Sequence, residues 1–193
     1  MSSTTVLEEL MAMISTVREI VGQVHISMSG MLEVIDAEKQ ALSLHSISVM
    51  EDAAQKKRQL VDAIEYGFST FESIAKRSVS DFGAPKQSEL LTLRGWVKWM
   101  RTAIAAHDDA ALPRQIAEHQ ISKLHVAVEE LLSTRRRIDP QLQQNKYLVE
   151  KCLRNYQLSL RFWVNVSDKT AETYGPTGAL HDKRPKSFLT VKA

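Results

Sequence analysis

The chain has 193 residues, 25 Lys and Arg against 23 Asp and Glu, and a net charge of +2 at pH 7. This length fits one domain with a sizeable core, and the near balance of charge excludes a field strong enough to favour nucleic acid as the main partner. The single cysteine excludes an intramolecular disulfide framework and suits a reducing cytosol. With only 7 Gly and 5 Pro among many good helix formers, the composition predicts a largely helical protein.

The N-terminal segment lacks the features of a targeting sequence. No Lys or Arg precedes its first apolar residues, as a secretory signal would require. The uncharged stretch at residues 20–32 is too short and too polar to span a bilayer. We therefore expect a cytoplasmic protein without stable membrane insertion.

Two long apolar stripes occupy the first part of the chain. The first predicts a helix from alternating steps of three and four residues, with Glu38 as the polar exception. Its positions are Leu7, Leu10, Ile14, Val17, Val21, Val24, Met28, Met31, Ile35, Glu38 and Leu42. A second stripe follows in residues 49–74, with Lys57 and Gly67 as exceptions. The segment SVSDFGAPKQSE at residues 78–89 then predicts a loop, because Gly and Pro interrupt helices.

Two more helices are predicted in the second half. The third covers about residues 88–107, and Pro113 suits the first turn of the fourth. The fourth stripe is the longest and keeps one register across Asp139-Pro140, which predicts a kinked but continuous helix. Its positions are Leu124, Val128, Leu131, Arg135, Ile138, Leu142, Asn145, Val149, Cys152, Tyr156, Ser159, Trp163 and Val166.

These elements together predict an all-α fold, an antiparallel bundle of about four long helices in residues 1–174. A mobile basic tail is predicted in residues 175–193, because Gly175 and Pro176 stop the last helix and basic residues follow. Periodicity alone does not decide whether the stripes cover one another or leave a groove for a partner's amphipathic helix. Mutual coverage is the default.

No catalytic or metal-binding constellation is found in the sequence. No Asp or Glu has His three residues after it, as the di-iron centres of helical bundles require. No Gly-rich phosphate loop or nucleophile motif occurs. Cys152 falls on the apolar stripe, which favours a small buried hydrophobe over a nucleophile. We therefore expect no enzyme activity, no metal and no cofactor.

Two further groups have more than one interpretation. Arg135, Arg136 and Arg137 form the densest basic cluster, which is typical of a solvated face, and the alternatives are nucleic-acid binding or an ion pair from Arg135 within the bundle. Trp96 and Trp99 are three residues apart and near enough to form one binding patch, although such residues more often belong to the core.

The order of several stretches resembles the FlgN family of flagellar export chaperones, which serve the hook–filament junction proteins. The stretches are MLEVIDAEKQALSLHSIS at residues 31–48, KKRQLVDAIE at 56–65, QQNKYLVEKCLRNYQLSLRFW at 143–163 and TYGPTG at 173–178. In that family, a helix of the form Asn-x-x-Leu-[Leu/Ile/Val]-Glu continues for several turns. It ends in an apolar residue or two, then Tyr-Gly, a small or polar residue, and Gly.

The matching residues are Asn145, Leu148, Val149 and Glu150 for the first part of this pattern, and Tyr174, Gly175 and Gly178 for the second. The chain departs from the family at Lys146, where glycine is frequent. The segment from about residue 82 to 113 and the chain before Met31 look like additional material, so no family role is carried onto them.

The resemblance implies a small all-helical cytosolic chaperone that uses no nucleotide or metal. Such a chaperone binds the C-terminal helical segments of the junction proteins, prevents their early association and delivers them to the flagellar type III export gate. Our hypothesis places client binding on the fourth helix, through Asn145, Leu148, Val149, Cys152, Tyr156 and Trp163. Tyr174 and Gly175 are the candidate contact to the export gate, because a tyrosine just past a helix can insert its ring into an apolar pocket.

A non-enzymatic helical adaptor or self-assembling bundle protein explains the same periodicity. Such a protein would form a homo-oligomer through its own stripes and need no client. The sequence leaves this alternative open.

Overall fold

A computed structural model describes residues 3–44, 46–82, 92–106, 111–170, 172–174 and 180–182. Its helices are α1 (Ser3–Leu44), α2 (Ile47–Phe82), α3 (Leu93–Ala105) and α4 (Ala111–Thr170). Two three-residue strands follow, β1 (Glu172–Tyr174) and β2 (Leu180–Asp182). The prediction of an all-α bundle with about four helices is confirmed.

The chain divides into two compact units, Met1–Asn145 and Lys146–Ala193. The first unit contains α1, α2, α3 and the N-terminal part of α4. The second contains the rest of α4 and the strands, which pair antiparallel with Tyr174 opposite Leu180. Residues 180–182 of the predicted tail therefore form a strand, whereas Gly175 and residues 183–193 lie outside the described residues.

Helices α1 and α2 run antiparallel, as their contacts show. Lys57 Nζ of α2 donates to Glu38 Oε2 of α1 over 2.8 Å. Further along α2, the backbone of Gly67 lies against Val24, which is earlier in α1. Residue numbers thus rise in one helix as they fall in the other.

Helices α1 and α4 run parallel, so the prediction of an antiparallel bundle is wrong for this pair. His25 Nε2 and Thr134 Oγ1 are 3.1 Å apart, at a separation of 109 residues. Asn145 Nδ2 donates to the Ile35 carbonyl over 2.8 Å, at a separation of 110 residues. The separation stays almost constant because residue numbers rise together along both helices. Helix α3 lies near the start of α1, where Trp99 and Ala103 line the same cavity as Val6 and Leu10.

The core of the first unit consists of the predicted apolar stripes. Burial of these side chains is the main favourable contribution to folding, at about 25 cal/mol per Å² of apolar surface. From α1, Leu7, Leu10, Ile14, Val17, Val21, Val24, Met28, Met31 and Ile35 are all buried. From α4, Leu124, Val128, Leu131 and Ile138 face the same core.

The polar exceptions in three of the stripes meet one another. Lys57 Nζ lies 2.9 Å and 2.8 Å from the two carboxylate oxygens of Glu38. Asn145 Nδ2 lies 3.4 Å from Glu38 Oε2, in addition to its bond to the Ile35 carbonyl. We call Glu38, Lys57 and Asn145 the polar layer; it links α1, α2 and α4 at one level. Burying any one of them without the others would leave unpaired polar atoms in the core.

Gly67, the other exception in the α2 stripe, marks a close approach of two helices. A Cβ placed on Gly67 would lie 2.3 Å from Cγ2 of Val24. Val24 is buried and β-branched, so its methyl group has little freedom to move away. The absence of a side chain at Gly67 is therefore what lets α1 and α2 pack this closely.

Helix α2 extends further than predicted. It continues to Phe82, whereas the sequence predicted a loop from residue 78. Ser78 stays helical because its Oγ donates to the Ile74 carbonyl and accepts from Trp96 Nε1. Arg77 also pairs with Asp81 one turn later, and this hydrogen bond, with a second from Ser80, lowers the pKa of Asp81.

The predicted start of the third helix, at about residue 88, lies outside the described residues. Thr92 is extended, with φ −101° and ψ 139°, and its hydroxyl accepts from the Gly95 amide. This N-cap precedes α3, which begins at Leu93. Helix α4 continues through Pro140, as its unbroken register predicted.

Substitution of two glycines by alanine should have opposite effects on stability. At Gly67, the added methyl meets Val24, and we expect Gly67→Ala to destabilise the chain by about 1–3 kcal/mol through overpacking. At Gly22, a Cβ would meet nothing within 4 Å. Gly22→Ala should therefore stabilise α1 by up to about 1 kcal/mol, through helix propensity alone. Denaturant unfolding of both variants measures this difference, and equal shifts of one sign would contradict the packing at Gly67.

Candidate functional site

The two tryptophans of α3 belong to the core rather than to an open binding patch. Trp96 is 0% exposed, donates to Ser78 Oγ over 3.0 Å and packs edge-on against Phe71 at 6.2 Å. Trp99 is partly buried against the same core. Of the two interpretations of this pair, the core one is confirmed.

The basic cluster in α4 lies at the surface. Arg135, Arg136 and Arg137 are all exposed. The buried position beside them is taken by Thr134, whose hydroxyl lies within hydrogen-bond distance of His25. Arg135 is therefore not part of the buried stripe, and the three arginines form an exposed basic surface.

The six residues assigned to client binding fall into different environments. Asn145 is 3% exposed and its amide is used within the polar layer. Leu148 and Val149 are half-buried, and Cys152 is exposed. Tyr156 and Trp163 are 64% and 66% exposed. The structure therefore groups the later members of this set on open helix surface and places Asn145 in the core.

A continuous apolar stripe runs along α4 in the second unit. Its members are separated by four, three, four and three residues, which is the spacing of a coiled-coil contact face. They are Val149, Leu153, Tyr156, Leu160 and Trp163, and we call them the C-terminal stripe. At 3.6 residues per turn, they cover about 80° of the helix circumference. Apart from Val149, every member is exposed.

Leu153 and Leu160 are members of this stripe that the register predicted from the sequence left out. That register contained Cys152 and Ser159, one residue earlier in each case. Both registers share Val149, Tyr156 and Trp163, and both alternate steps of three and four. The two registers differ in how many strongly apolar residues they contain, and the register with Leu153 and Leu160 contains more.

The aromatic residues of the C-terminal stripe give it the character of a binding surface. Trp and Tyr dominate the energetics of protein interfaces because each buries a large area with few rotatable bonds. Trp163 also contacts Phe162, with ring centroids 6.0 Å apart and an angle of 75° between the planes. Exposed apolar residues in a contiguous row mark an interaction site more often than isolated ones do.

A second apolar surface lies in the first unit, where α3 begins. It is a groove of about 770 Å³ lined mainly by α2 and α4, with Met31, Phe68 and Leu132 among its apolar residues. Arg94 stands at its edge and donates two hydrogen bonds to the carboxylate of Glu129, one of them over 2.7 Å. These bonds lower the pKa of Glu129 and raise the pKa of Arg94. They also fix the first turn of α3 to α4.

The described side chains that could bind a metal do not form a cluster. Within the described ranges, no three His, Cys, Asp or Glu side chains lie together as metal ligands would. Cys152 is exposed, not buried as its place on the predicted stripe favoured. In the same part of the chain, no helix has both the length and the apolar character needed to cross a membrane.

The candidate gate contact lies beyond the end of α4. Tyr174 is the last residue of β1, four residues after Thr170, where the helix ends. Its backbone is paired with that of Leu180, so it is held in a short hairpin. Gly175, the other gate candidate, lies outside the described residues.

Removal of the Asn145 amide should cost stability, because it holds the polar layer together. We expect Asn145→Ala to lower the free energy of unfolding by about 1–3 kcal/mol, the usual effect of leaving a buried polar partner unsatisfied. Gln144→Ala is the matched control, since Gln144 is the exposed neighbour. Chemical denaturation of both variants is the measurement, and a neutral Asn145→Ala would show that the layer does not stabilise the bundle.

Comparisons with protein-family models, with curated proteins and with solved structures each give no match. The resemblance to FlgN therefore rests on the residues quoted for it, and the function has to be argued from the geometry of α4.

Proposed function

We propose that this chain is a cytosolic flagellar type III export chaperone of the FlgN kind. It binds the C-terminal helical segments of hook–filament junction proteins, prevents their premature association and delivers them to the export gate. The activity is non-enzymatic and needs no cofactor. The observation that carries the proposal is the exposed C-terminal stripe.

The stripe supports helix binding because of its shape. A contact face that is only about 80° wide and spaced by four and three residues matches the groove-and-ridge surface of another helix. An amphipathic helix from an unassembled junction protein has a complementary face, which is an aggregation hazard while it is exposed. Pairing of the two faces buries both.

The position of the stripe supports the same conclusion. Among the described residues of α4, Asn145 is the last that is buried, and it is also the last residue of the first unit. From Cys152 to Asn165, every residue of α4 is exposed. A partner can therefore occupy this stretch without opening the core of the bundle.

The short hairpin supports a separate role for Tyr174. Its backbone is fixed in β1 within a few residues of α4, whereas the client-binding stripe ends earlier on the helix. In the proposal, the stripe holds the client and Tyr174 contacts the export gate. Two adjacent but distinct surfaces would allow both partners to be bound together.

Two leucines of α4 provide a matched test of client binding. Leu160 belongs to the C-terminal stripe and is 46% exposed, while Leu158 is 55% exposed. Two residues along a helix, they lie about 160° apart around the axis. We expect Leu160→Glu to weaken binding of the C-terminal segment of a junction protein at least about tenfold, and Leu158→Glu to change it less than about twofold. Isothermal titration of both variants measures the effect.

Several outcomes would count against the proposal. Equal loss in both variants would show that no particular face of α4 is used. Retained affinity in both would exclude the stripe, provided that circular dichroism shows unchanged helicity. Light scattering with and without the segment tests the adaptor alternative: a homo-oligomer that ignores the segment would favour self-assembly.

Replacement of Tyr174 by alanine tests the proposed contact to the export gate. We expect Tyr174→Ala to weaken docking to the purified cytosolic domain of the export gate while leaving the affinity for the junction-protein segment unchanged. Surface binding assays against the two partners separate these effects. Loss of both affinities, or of neither, would refute a dedicated role for Tyr174.

A further inference from the structure

We infer that the groove of the first unit is a second contact site for the client, and that a short helix of the client lies in it between α2 and α4, in line with α3. The inference rests on the proposed function, since the occupant is the client that the C-terminal stripe binds. It adds to that function a site that is formed entirely within the first unit, by residues 28–142.

The groove continues the surface on which α3 packs. Trp96 of α3 packs edge-on against Phe71 of α2, and Phe71 also lines the groove. On the other side, Arg94 of α3 donates to Glu129 of α4. Leu93 and Arg94, in the first turn of α3, line one end of the groove. The same two helices that hold α3 therefore form the groove beyond its first turn, where none of the described helices covers it.

The groove is long enough for about three turns of helix. Its residues on α2 extend from Val61 to Phe71, and those on α4 extend from Leu131 to Leu142. At 1.5 Å per residue, each side is about 15 to 17 Å long, which is the length of about 11 helical residues. Helix α3 has 13 residues against 36 in α2, so it covers only part of the surface that α2 and α4 provide.

The lining of the groove favours the apolar face of an amphipathic helix. Eleven of its fifteen lining residues are apolar, among them Ile64 and Phe68 of α2 and Leu132 of α4. Hydrophobic grooves bind amphipathic helices through residues that are spaced by three and four along the bound helix. Helix α3 packs on its neighbours in this way. Its buried residues are Leu93, Trp96, Val97, Met100 and Ile104.

The α4 side of the groove has the heptad spacing of the C-terminal stripe. Leu132, Arg135, Asp139 and Leu142 line it at steps of three, four and three residues. Leu142 is seven residues, one heptad, before the first member of the stripe, and Lys146 takes the intervening position. A client whose apolar residues repeat with this period suits both surfaces. We therefore assign the groove to the client rather than to an unrelated protein.

The charged residues of the groove argue against a fatty acid or another anionic amphiphile. Such a ligand needs a cation without a counter-charge beside the apolar cavity. Arg94 already donates two hydrogen bonds to Glu129, and Arg135 has Asp139 four residues later on the same side of the groove. A helix can instead place an acidic residue near Arg135 and a basic residue near Asp139. Polar residues at contact positions set the register of paired helices in this way.

The end of the groove at α3 argues against the C-terminal stripe of a second copy. Leu93 at the start of α3 lines this end. The stripe lies within a 60-residue helix that continues beyond it in both directions, as far as Thr170 on one side. In either orientation, a continuing end of that helix would meet α3. A client helix that is a C-terminal segment can end at this point.

The test uses the full chain, the C-terminal segment of a junction protein and two matched variants. Val61 lines the groove and is 38% exposed, whereas Val126 is 56% exposed and is not one of the lining residues. Nine residues before Arg135, Val126 lies on the opposite side of α4. We expect Val61→Glu to weaken binding of the segment at least about fivefold, because it places a carboxylate in an apolar contact. Val126→Glu should change the affinity less than about twofold.

Isothermal titration measures both affinities, and circular dichroism checks that both variants keep their helicity. Equal loss of affinity in the two variants would overturn the assignment to the groove.

Photo-crosslinking identifies the occupant directly. Benzoylphenylalanine in place of Val61 should form a covalent adduct with the segment, and the same residue in place of Val126 should not. An adduct between two copies of the chain, in the presence of the segment, would overturn the inference in favour of self-association. Binding of dodecanoate that Val61→Glu abolishes, with no change in the affinity for the segment, would overturn it in favour of an amphiphile.

The stripe variant Leu160→Glu separates this inference from the proposed function. If Leu160→Glu weakens binding of the segment and Val61→Glu does not, the groove is not a client site and the proposed function stands. If both weaken it and Val126→Glu does not, both stand. If the segment does not bind the unmodified chain, the proposed function fails and the inference fails with it.

Discussion

The packing of this bundle depends on one polar layer, in which Glu38, Lys57 and Asn145 meet between three apolar stripes. Apolar stripes by themselves tolerate a shift by one heptad, because each buries similar side chains before and after the shift. A carboxylate, an ammonium and an amide that meet at one level do not tolerate it, since every other register separates the partly buried Glu38–Lys57 pair and leaves the buried Asn145 amide without its partners. The layer thereby fixes how far α1, α2 and α4 overlap.

Helix α4 has 60 residues, against 42 in α1 and 36 in α2, and its residues from Cys152 to Asn165 are exposed. The chain nevertheless continues the coiled-coil spacing into the exposed part, where it is of no use to the bundle's own core. This exposed stripe, with Tyr156 and Trp163 as its largest side chains, is the surface that we propose binds a helix.

How much of this was predictable differs between residues. The stripes of α1 and α4, and the continuity through Pro140, follow from spacing alone because core packing imposes the same period everywhere. The end of α2 did not, since Ser78 is buried and accepts a hydrogen bond from Trp96 of another helix. In the exposed part of α4, the register predicted from the sequence and the C-terminal stripe share Tyr156 and Trp163 and differ at Leu153 and Leu160. Burial does not distinguish them there, because every residue from Cys152 to Asn165 is exposed.

The sequence by itself determined the helical class, the apolar faces and the polar exceptions within them, because helix periodicity is a local property of the chain. The tertiary structure alone decided what those exceptions do. It placed Asn145 inside the polar layer, set Gly67 against Val24, and showed that the stripe buried in the first unit is exposed in the second. Burial depends on which helix lies opposite, and an amphipathic pattern has the same spacing whether its partner is part of the chain or another protein.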